Sequence, residues 1–151
     1  MRELYFKQWL PISLDEAWTF FSDPSNLKEI TPAKMGFVVT SSHPGDRMYA
    51  GQIIRYIVRP LFGIPLKWCT EITHVVDRQY FVDEQRFGPY AFWHHQHHFT
   101  EQNGGVLMED ILHYKVPFGI LGNFVDRMIV NREVNTIFAY RRKVLAERFR
   151  T

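Results

Sequence analysis

Residues 92–99 read Phe-Trp-His-His-Gln-His-His-Phe. Histidine titrates near neutrality, so it can hold a proton, release one, or bind a metal through a ring nitrogen. In an extended strand alternate side chains share a face. Trp93, His95, His97 and Phe99 therefore form one row, and Phe92, His94, Gln96 and His98 the other. The row flanked by Trp and Phe is the one expected to face the interior. Three readings of His95 and His97 follow. They are neutral, hydrogen-bonded residues of a core or pocket; or they orient or protonate a carbonyl or hydroxyl of a ligand; or they bind a metal. Positions i and i+2 of a strand lie ~6.6 Å apart, near enough to share an ion. A metal needs at least a third ligand, which Asp110 or Glu84 would have to supply. No further histidine spacing supports that, and no metal or cofactor is expected.

Asp110 lies in the next apolar run, on the row Met108, Asp110, Leu112, Tyr114 and Val116. A carboxylate in such a row must be paired or accept several hydrogen bonds, and His95 and His97 on the adjacent strand are its expected partners. The pair serves equally as a polar cluster that fixes strand register or as a catalytic dyad. Tyr114, on the same row, is expected to offer its hydroxyl to a ligand. One run earlier, Phe81, Asp83 and Gln85 share a face, and Phe81 and Gln85 are expected inward. Glu84 and Arg86 read as an exposed pair. Trp68, Thr70 and Ile72 form a further inward row. Arg55 reads as a surface residue rather than a buried cation.

The elements that position these residues are legible in outline. Residues 3–10 alternate as a first strand. Ser13-Leu14-Asp15-Glu16 is a capping box opening an apolar helix through Ala17, Trp18, Phe20 and Phe21. A short second helix ends near Thr31-Pro32, and residues 41–46 read as a loop. Between 47 and 116 four to five strand-like runs follow at short spacing, and Gln102-Asn103-Gly104-Gly105 marks a hairpin. Short connections imply an antiparallel meander. After Gly119 the apolar period becomes helical through Leu121, Phe124, Val125, Met128, Val134, Ile137, Phe138, Val144 and Leu145, with a register slip near Asn131-Arg132. A helix from about 120 to 149 would be ~45 Å long and needs a sheet to lie along. Segregated strands and helices give an α+β fold, with the long helix on one face of the sheet. Val116 to Gly122, greasy and glycine-bearing, reads either as a flap at a cavity mouth or as an ordinary turn.

Composition narrows the function classes. With 151 residues and no linker or repeat, the chain reads as one domain, 1–151. Its residues are 46% hydrophobic and 16% aromatic, enough for a large core or an apolar pocket. The net charge of +2 calls for neither nucleic acid nor an anionic membrane. The basic residues of the last helix, Arg141, Arg142, Lys143, Arg148 and Arg150 among them, suit its C-terminal dipole. Cys69 is the only cysteine, which fits a reducing cytoplasm. No run approaches the ~20 apolar residues of a membrane span, and the first residues carry no signal-peptide pattern.

The stretches Phe81–Gln85, Gly88–Tyr90 and the row Trp93, His95, His97, Phe99 resemble the SRPBCC superfamily, which includes START lipid-transfer domains. Met108–Asp110 through Tyr114, Pro117–Gly119 and Ile137–Arg142 add to the likeness. It is close to the small bacterial branch described as polyketide cyclase/dehydrase-like or ligand-binding. The resemblance implies a helix-grip fold: two short helices after the first strand, and a curved antiparallel sheet wrapped around a long C-terminal helix, enclosing a cavity. It does not imply a metal. The cavity is expected to hold a small, largely apolar ligand of lipid, polyketide or aromatic type, as a carrier or sensor. Its expected lining is Trp68, Thr70, Ile72, Phe81, Gln85, Trp93, His95, His97, Phe99, Asp110, Leu112, Tyr114, Phe118, Phe124 and Met128. The alternative is a cyclase, aromatase or dehydratase acting through His95, His97, Asp110 and Tyr114. No feature of the sequence encodes the oligomeric state.

Overall fold

The computed structural model describes residues 1–41, 47–60 and 62–150. Most of the loop read at 41–46 thus lies outside the described residues. Strand β1 (Arg2–Leu10) leads into helix α1 (Leu14–Phe21) and two 3-10 turns, Pro24–Ile30 and Ala33–Met35. The strands β2 (Val38–Val39), β3 (Gln52–Val58), β4 (Leu66–Val76), β5 (Tyr80–Phe87), β6 (Phe92–Gln102) and β7 (Gly105–Lys115) follow. The chain closes with α2 (Gly119–Val125), a π-helical turn (Asp126–Val130) and α3 (Asn131–Arg148).

The seven strands form one open antiparallel sheet in the order β1-β7-β6-β5-β4-β3-β2. This is the helix-grip arrangement, with the long terminal helix gripped by the sheet. Local chemistry explains the joints. Ser13 Oγ accepts from the Glu16 amide at 3.1 Å, as the capping box requires. Asn103 and Gly104 both take positive φ, 52° and 75°, which is the type I′ geometry that Asn-Gly favours. That turn sets the β6–β7 register by opposing Gln102 to Gly105, and thereby His97 to Asp110. β2 is too short to give an alternation signal.

The terminal helix departs from a single regular rod. Its π turn spans Asp126–Val130, just before the slip read near Asn131. A π turn inserts an extra residue into the helical repeat, so the apolar stripe of α2 does not continue in phase into α3. The consequence is visible at Phe124 and Met128, which face solvent although they fit the apolar period. Only Gly122 of α2 is buried, and Ile120 is 90% exposed.

The main core joins α1, the β6–β7 hairpin and the end of α3. Trp18 meets Phe81 and Phe99 edge-on, with Phe21, Val106, Met108 and Leu145 around them. At Gly105 the end of β1 passes close to β7. A Cβ there would sit 2.3 Å from the Leu10 carbonyl oxygen and 2.5 Å from the Trp9 ring. Gly105→Ala should therefore cost about 1–3 kcal/mol by forcing the two strands apart. Urea unfolding checks this, and wild-type stability in the variant would refute the close packing.

Candidate functional site

Between the sheet and the terminal helix lies a cavity of about 560 Å³. One wall is aromatic. Phe37, Tyr56, Trp68, Tyr90 and Trp93 form a chain of ring contacts with centroids 4.7–5.6 Å apart. The Thr70 hydroxyl ties this wall together, 3.0 Å from both the Tyr56 hydroxyl and the Trp68 indole nitrogen. Burial pushes the Tyr56 and Tyr90 hydroxyls well above their usual range, so both stay protonated. α2 supplies Leu121, Gly122 and Val125 to the lining, and α3 supplies Val134, Ile137 and Phe138. Phe62, Ile64 and Phe118 line the cavity yet are exposed, Phe62 at 91% and Phe118 at 80%. They mark its rim.

The aromatic wall ends at a compact polar cluster. The Trp93 indole nitrogen donates to Asp83 Oδ1 at 3.2 Å. Asp83 Oδ2 lies 2.6 Å from His97 Nε2 and 3.5 Å from His95 Nδ1. Behind the rings, Asp110 Oδ1 takes a 2.9 Å hydrogen bond from His95 Nε2. His97 Nδ1 is 3.2 Å from the same oxygen but out of line for a hydrogen bond. The two imidazoles are 3.8 Å apart at their centroids. On the far side of Asp110 sits Arg141, 3.6 Å away and 8% exposed, its guanidinium over the rings of Phe21 and Phe138. Asp83, His95, His97 and Arg141 all line the cavity.

The charges of the cluster depend on one another. Burial disfavours the Asp110 carboxylate, but Arg141 and the two histidines outweigh it and hold Asp110 well below the usual carboxylate range. Asp83 is likewise lowered against its burial, through His95 and His97. Burial pushes His95 down, helped by its histidine neighbour, against the pull of Asp83 and Asp110. His97 is also penalised by burial, yet the close approach of the Asp110 carboxylate and the hydrogen bond to Asp83 raise it. The cluster therefore keeps one imidazole neutral beside one that holds its proton. With both carboxylates and Arg141 ionised, a protonated His97 makes its net charge zero.

The sequence row Trp93, His95, His97 and the row Trp68, Thr70, Ile72 come together at this cavity with Phe81 and Phe118. The remaining expected lining residues lie elsewhere. Asp110 stands behind the histidine rings, Phe99 packs in the main core, and Leu112 is fully buried beneath Val134 and Phe138. Tyr114 is also fully buried, and its hydroxyl donates to Asp126 at 2.7 Å rather than to the cavity. Gln85 clasps the turn after β5 through the Tyr90 carbonyl oxygen and amide, at 2.7 and 3.0 Å. Phe124 and Met128 point outward because the π turn breaks the stripe.

Three residues of the site escape the sequence reading. Asp83 shares the face of Phe81, so period-2 logic already placed it inward. Tyr56 lies on the inner row of β3 with Gln52, Ile54 and Val58, while Arg55 is exposed as read. Arg141, read as one of the basic residues that suit the C-terminal dipole of the last helix, is a buried counter-charge to Asp110.

No protein-family model matches the chain, and no curated protein matches it. Solved structures do. A protein of Thermus thermophilus aligns over 98% of this chain and 97% of its own, at 17% identity and a TM-score of 0.76. A START superfamily protein from Mycobacterium smegmatis aligns over 97% of this chain and 96% of its own, at 13% identity and a TM-score of 0.72. The fold is START-like. A Chromobacterium violaceum protein, 14% identical, shares it at a TM-score of 0.70 over 97% of this chain and 96% of its own. At these identities the likeness covers the backbone arrangement alone, and function has to be argued from the cavity itself.

Proposed function

We propose that the protein binds a small, largely apolar molecule in this cavity, as a carrier or sensor. The ligand's apolar body lies along the aromatic wall, and one carbonyl or hydroxyl reaches Asp83, His95 and His97. The observation that carries the reading is the combination of a hollow of about 560 Å³ with a mostly apolar, aromatic-rich lining that includes one compact polar cluster. Ligand sites of 300–1,000 Å³ with a few convergent polar groups are the usual pattern. The exposed apolar rim of Phe62, Ile64 and Phe118 suits entry of such a ligand. A START-like fold is consistent with ligand binding. No helix among the described residues is long and apolar enough to cross a membrane. The single free cysteine and the small net charge support a cytoplasmic setting without nucleic acid.

Native mass spectrometry of freshly purified protein should retain a bound small molecule. A naphthalene-type fluorescent probe should bind and be displaced by that molecule. Ile137→Trp, which fills the cavity from α3, should weaken probe binding about tenfold or more while the fold persists, since overfilled pockets exclude ligand. Unchanged affinity in that variant would place the probe outside the cavity and refute the reading.

One observation favours a second reading, an enzyme of the cyclase, aromatase or dehydratase kind. Two touching imidazoles whose proton affinities are driven apart form an acid and a base. His97 would donate and His95 would accept, with Asp110 orienting His95 and Asp83 orienting His97. Tyr114 has no part, because its hydroxyl is committed to Asp126. Turnover of a carbonyl-bearing substrate, lost in His97→Gln with binding intact, would separate this reading from a carrier.

A further inference from the structure

We propose that Asp83, His95 and His97 form a binding site for a divalent transition-metal ion of the zinc type, open to the cavity. One ligand atom from each residue lies within 4.8 Å of the others. The atoms are identified by their partners. His95 donates its Nε2–H to Asp110, so a neutral ring turns its Nδ1 lone pair toward Asp83 Oδ2, 3.5 Å away. Two potential ligand atoms then face each other in a buried place, at a separation long for a hydrogen bond. A cation resolves that arrangement. Donors about 2.0–2.1 Å from a tetrahedral ion lie roughly 3.3–3.4 Å apart, close to the observed His95–Asp83 separation. The His97 Nε2–Asp83 Oδ2 distance of 2.6 Å is that of a short hydrogen bond. It must open by about 0.7 Å when an ion replaces the proton.

The surroundings match what such a site needs. Metal-bound histidines usually give their other ring nitrogen to a carboxylate, which fixes the ring and raises its basicity. Asp110 Oδ1 takes this bond from His95 Nε2 at 2.9 Å and lies 3.2 Å from His97 Nδ1, out of line, so it fixes the first ring and only neighbours the second. Arg141 holds Asp110 in turn. Trp93 fixes the other oxygen of Asp83. An ion that takes the place of the His97 proton keeps a positive charge between the two carboxylates, where the proton had been. Two imidazoles and one carboxylate select a borderline ion such as Zn²⁺ over Mg²⁺ or Ca²⁺, which prefer all-oxygen shells. The fourth position opens on the cavity, where water or a ligand oxygen completes the shell. The sequence pointed to Asp110 or Glu84 as the third ligand and expected no metal. Glu84 instead faces outward to His94 and Arg86, and Asp110 lies behind the rings, so Asp83 takes that place. This inference does not depend on the apolar-ligand reading.

The test uses the full chain, freed of metal by a chelator and then titrated with Co²⁺ and Zn²⁺. One equivalent of Co²⁺ should produce visible ligand-field bands of a four- or five-coordinate site, and Zn²⁺ should bleach them. X-ray absorption of the zinc form should show two imidazoles and at least one oxygen. Asp83→Ala and His95→Gln should each weaken Zn²⁺ binding about 100-fold or more, and Asp110→Asn about 10–100-fold. His94→Ala and His98→Ala, on the outer face, should change nothing. The proposal is overturned if Co²⁺ gives no saturating spectrum, if the zinc form shows no imidazole, or if the outer histidines rather than Asp83 and His95 control binding. The absorption measurement on the unaltered chain decides the question even where a variant fails to fold.

Discussion

Replacing Arg141 with alanine should lower the unfolding free energy by about 3–5 kcal/mol, and the melting temperature by roughly 10 °C. Arg141 is 8% exposed, and its guanidinium is the only cation among the described residues within 4.0 Å of Asp110 other than the two histidines. Removing one partner of a buried pair leaves the other charged and uncompensated, which costs far more than the pair contributes as a unit. Alanine also removes the cation from over Phe21 and Phe138, whose rings lie 5.5 and 5.8 Å away, and leaves a void beside them. Arg141→Lys should recover part of the loss, because an ammonium keeps the charge without the planar fork. Lys143→Ala, two positions on and exposed, should show no measurable change. Chemical denaturation of the four proteins checks the series. If Arg141→Ala matches Lys143→Ala, Arg141 is not the counter-charge of Asp110.

How much of this site was readable beforehand divides along local and non-local lines. His95 and His97 declared themselves inward because a strand has a strict period of two and their row is bounded by Trp93 and Phe99. Asp110 was readable as their partner because the Asn103-Gly104 turn fixes the count between the strands, so that His97 falls opposite Asp110. Tyr114 followed the same alternation and is indeed inward, but alternation says nothing of what waits there. Asp126, carried in by the π turn, takes its hydroxyl first.

Arg141 was hidden for a related reason. Its burial depends on the phase of α3 after the π turn and on the position of Phe21 in α1, neither of which the local sequence of the helix contains. Asp83 was overlooked beside Phe81 because a lone carboxylate looks costly until its partners are known. Those partners come from β6, across the irregular connection at Gly88–Ala91, while β4 and β5 themselves slip register near Thr70 and Ile72. The polar cluster is thus assembled from three strands and a helix. Only the β6–β7 half of it is fixed by a short turn.

That assembly predicts a distinctive pH profile for Asp110→Asn in chelator-treated protein. The substitution keeps the shape and removes the charge, and should cost about 3 kcal/mol near pH 6. In the wild type Asp110 is held well below its ordinary value: burial opposes ionisation, but Arg141 and the histidines outweigh it. A group with a depressed folded value contributes stability that is present above its unfolded pKa, about 3.9, and is lost as pH falls through the folded one. The gap between the proteins should therefore close in acid, where wild-type Asp110 also becomes neutral. His97 acts in the opposite sense. It is raised by Asp110 and Asp83 against its burial, so its contribution is full below the unfolded value of about 6.5 and fades as pH rises through the folded one. Asparagine removes one of those two carboxylates, and the gap should narrow again on the alkaline side. His95 stays suppressed by burial in both proteins. The difference in stability should thus be greatest between about pH 4 and 6.5, measured by urea unfolding at a series of pH values. A gap that stays flat from pH 3 to 8 would mean that Asp110 carries no charge the histidines and Arg141 respond to, and the cluster would have to be rebuilt around a neutral acid.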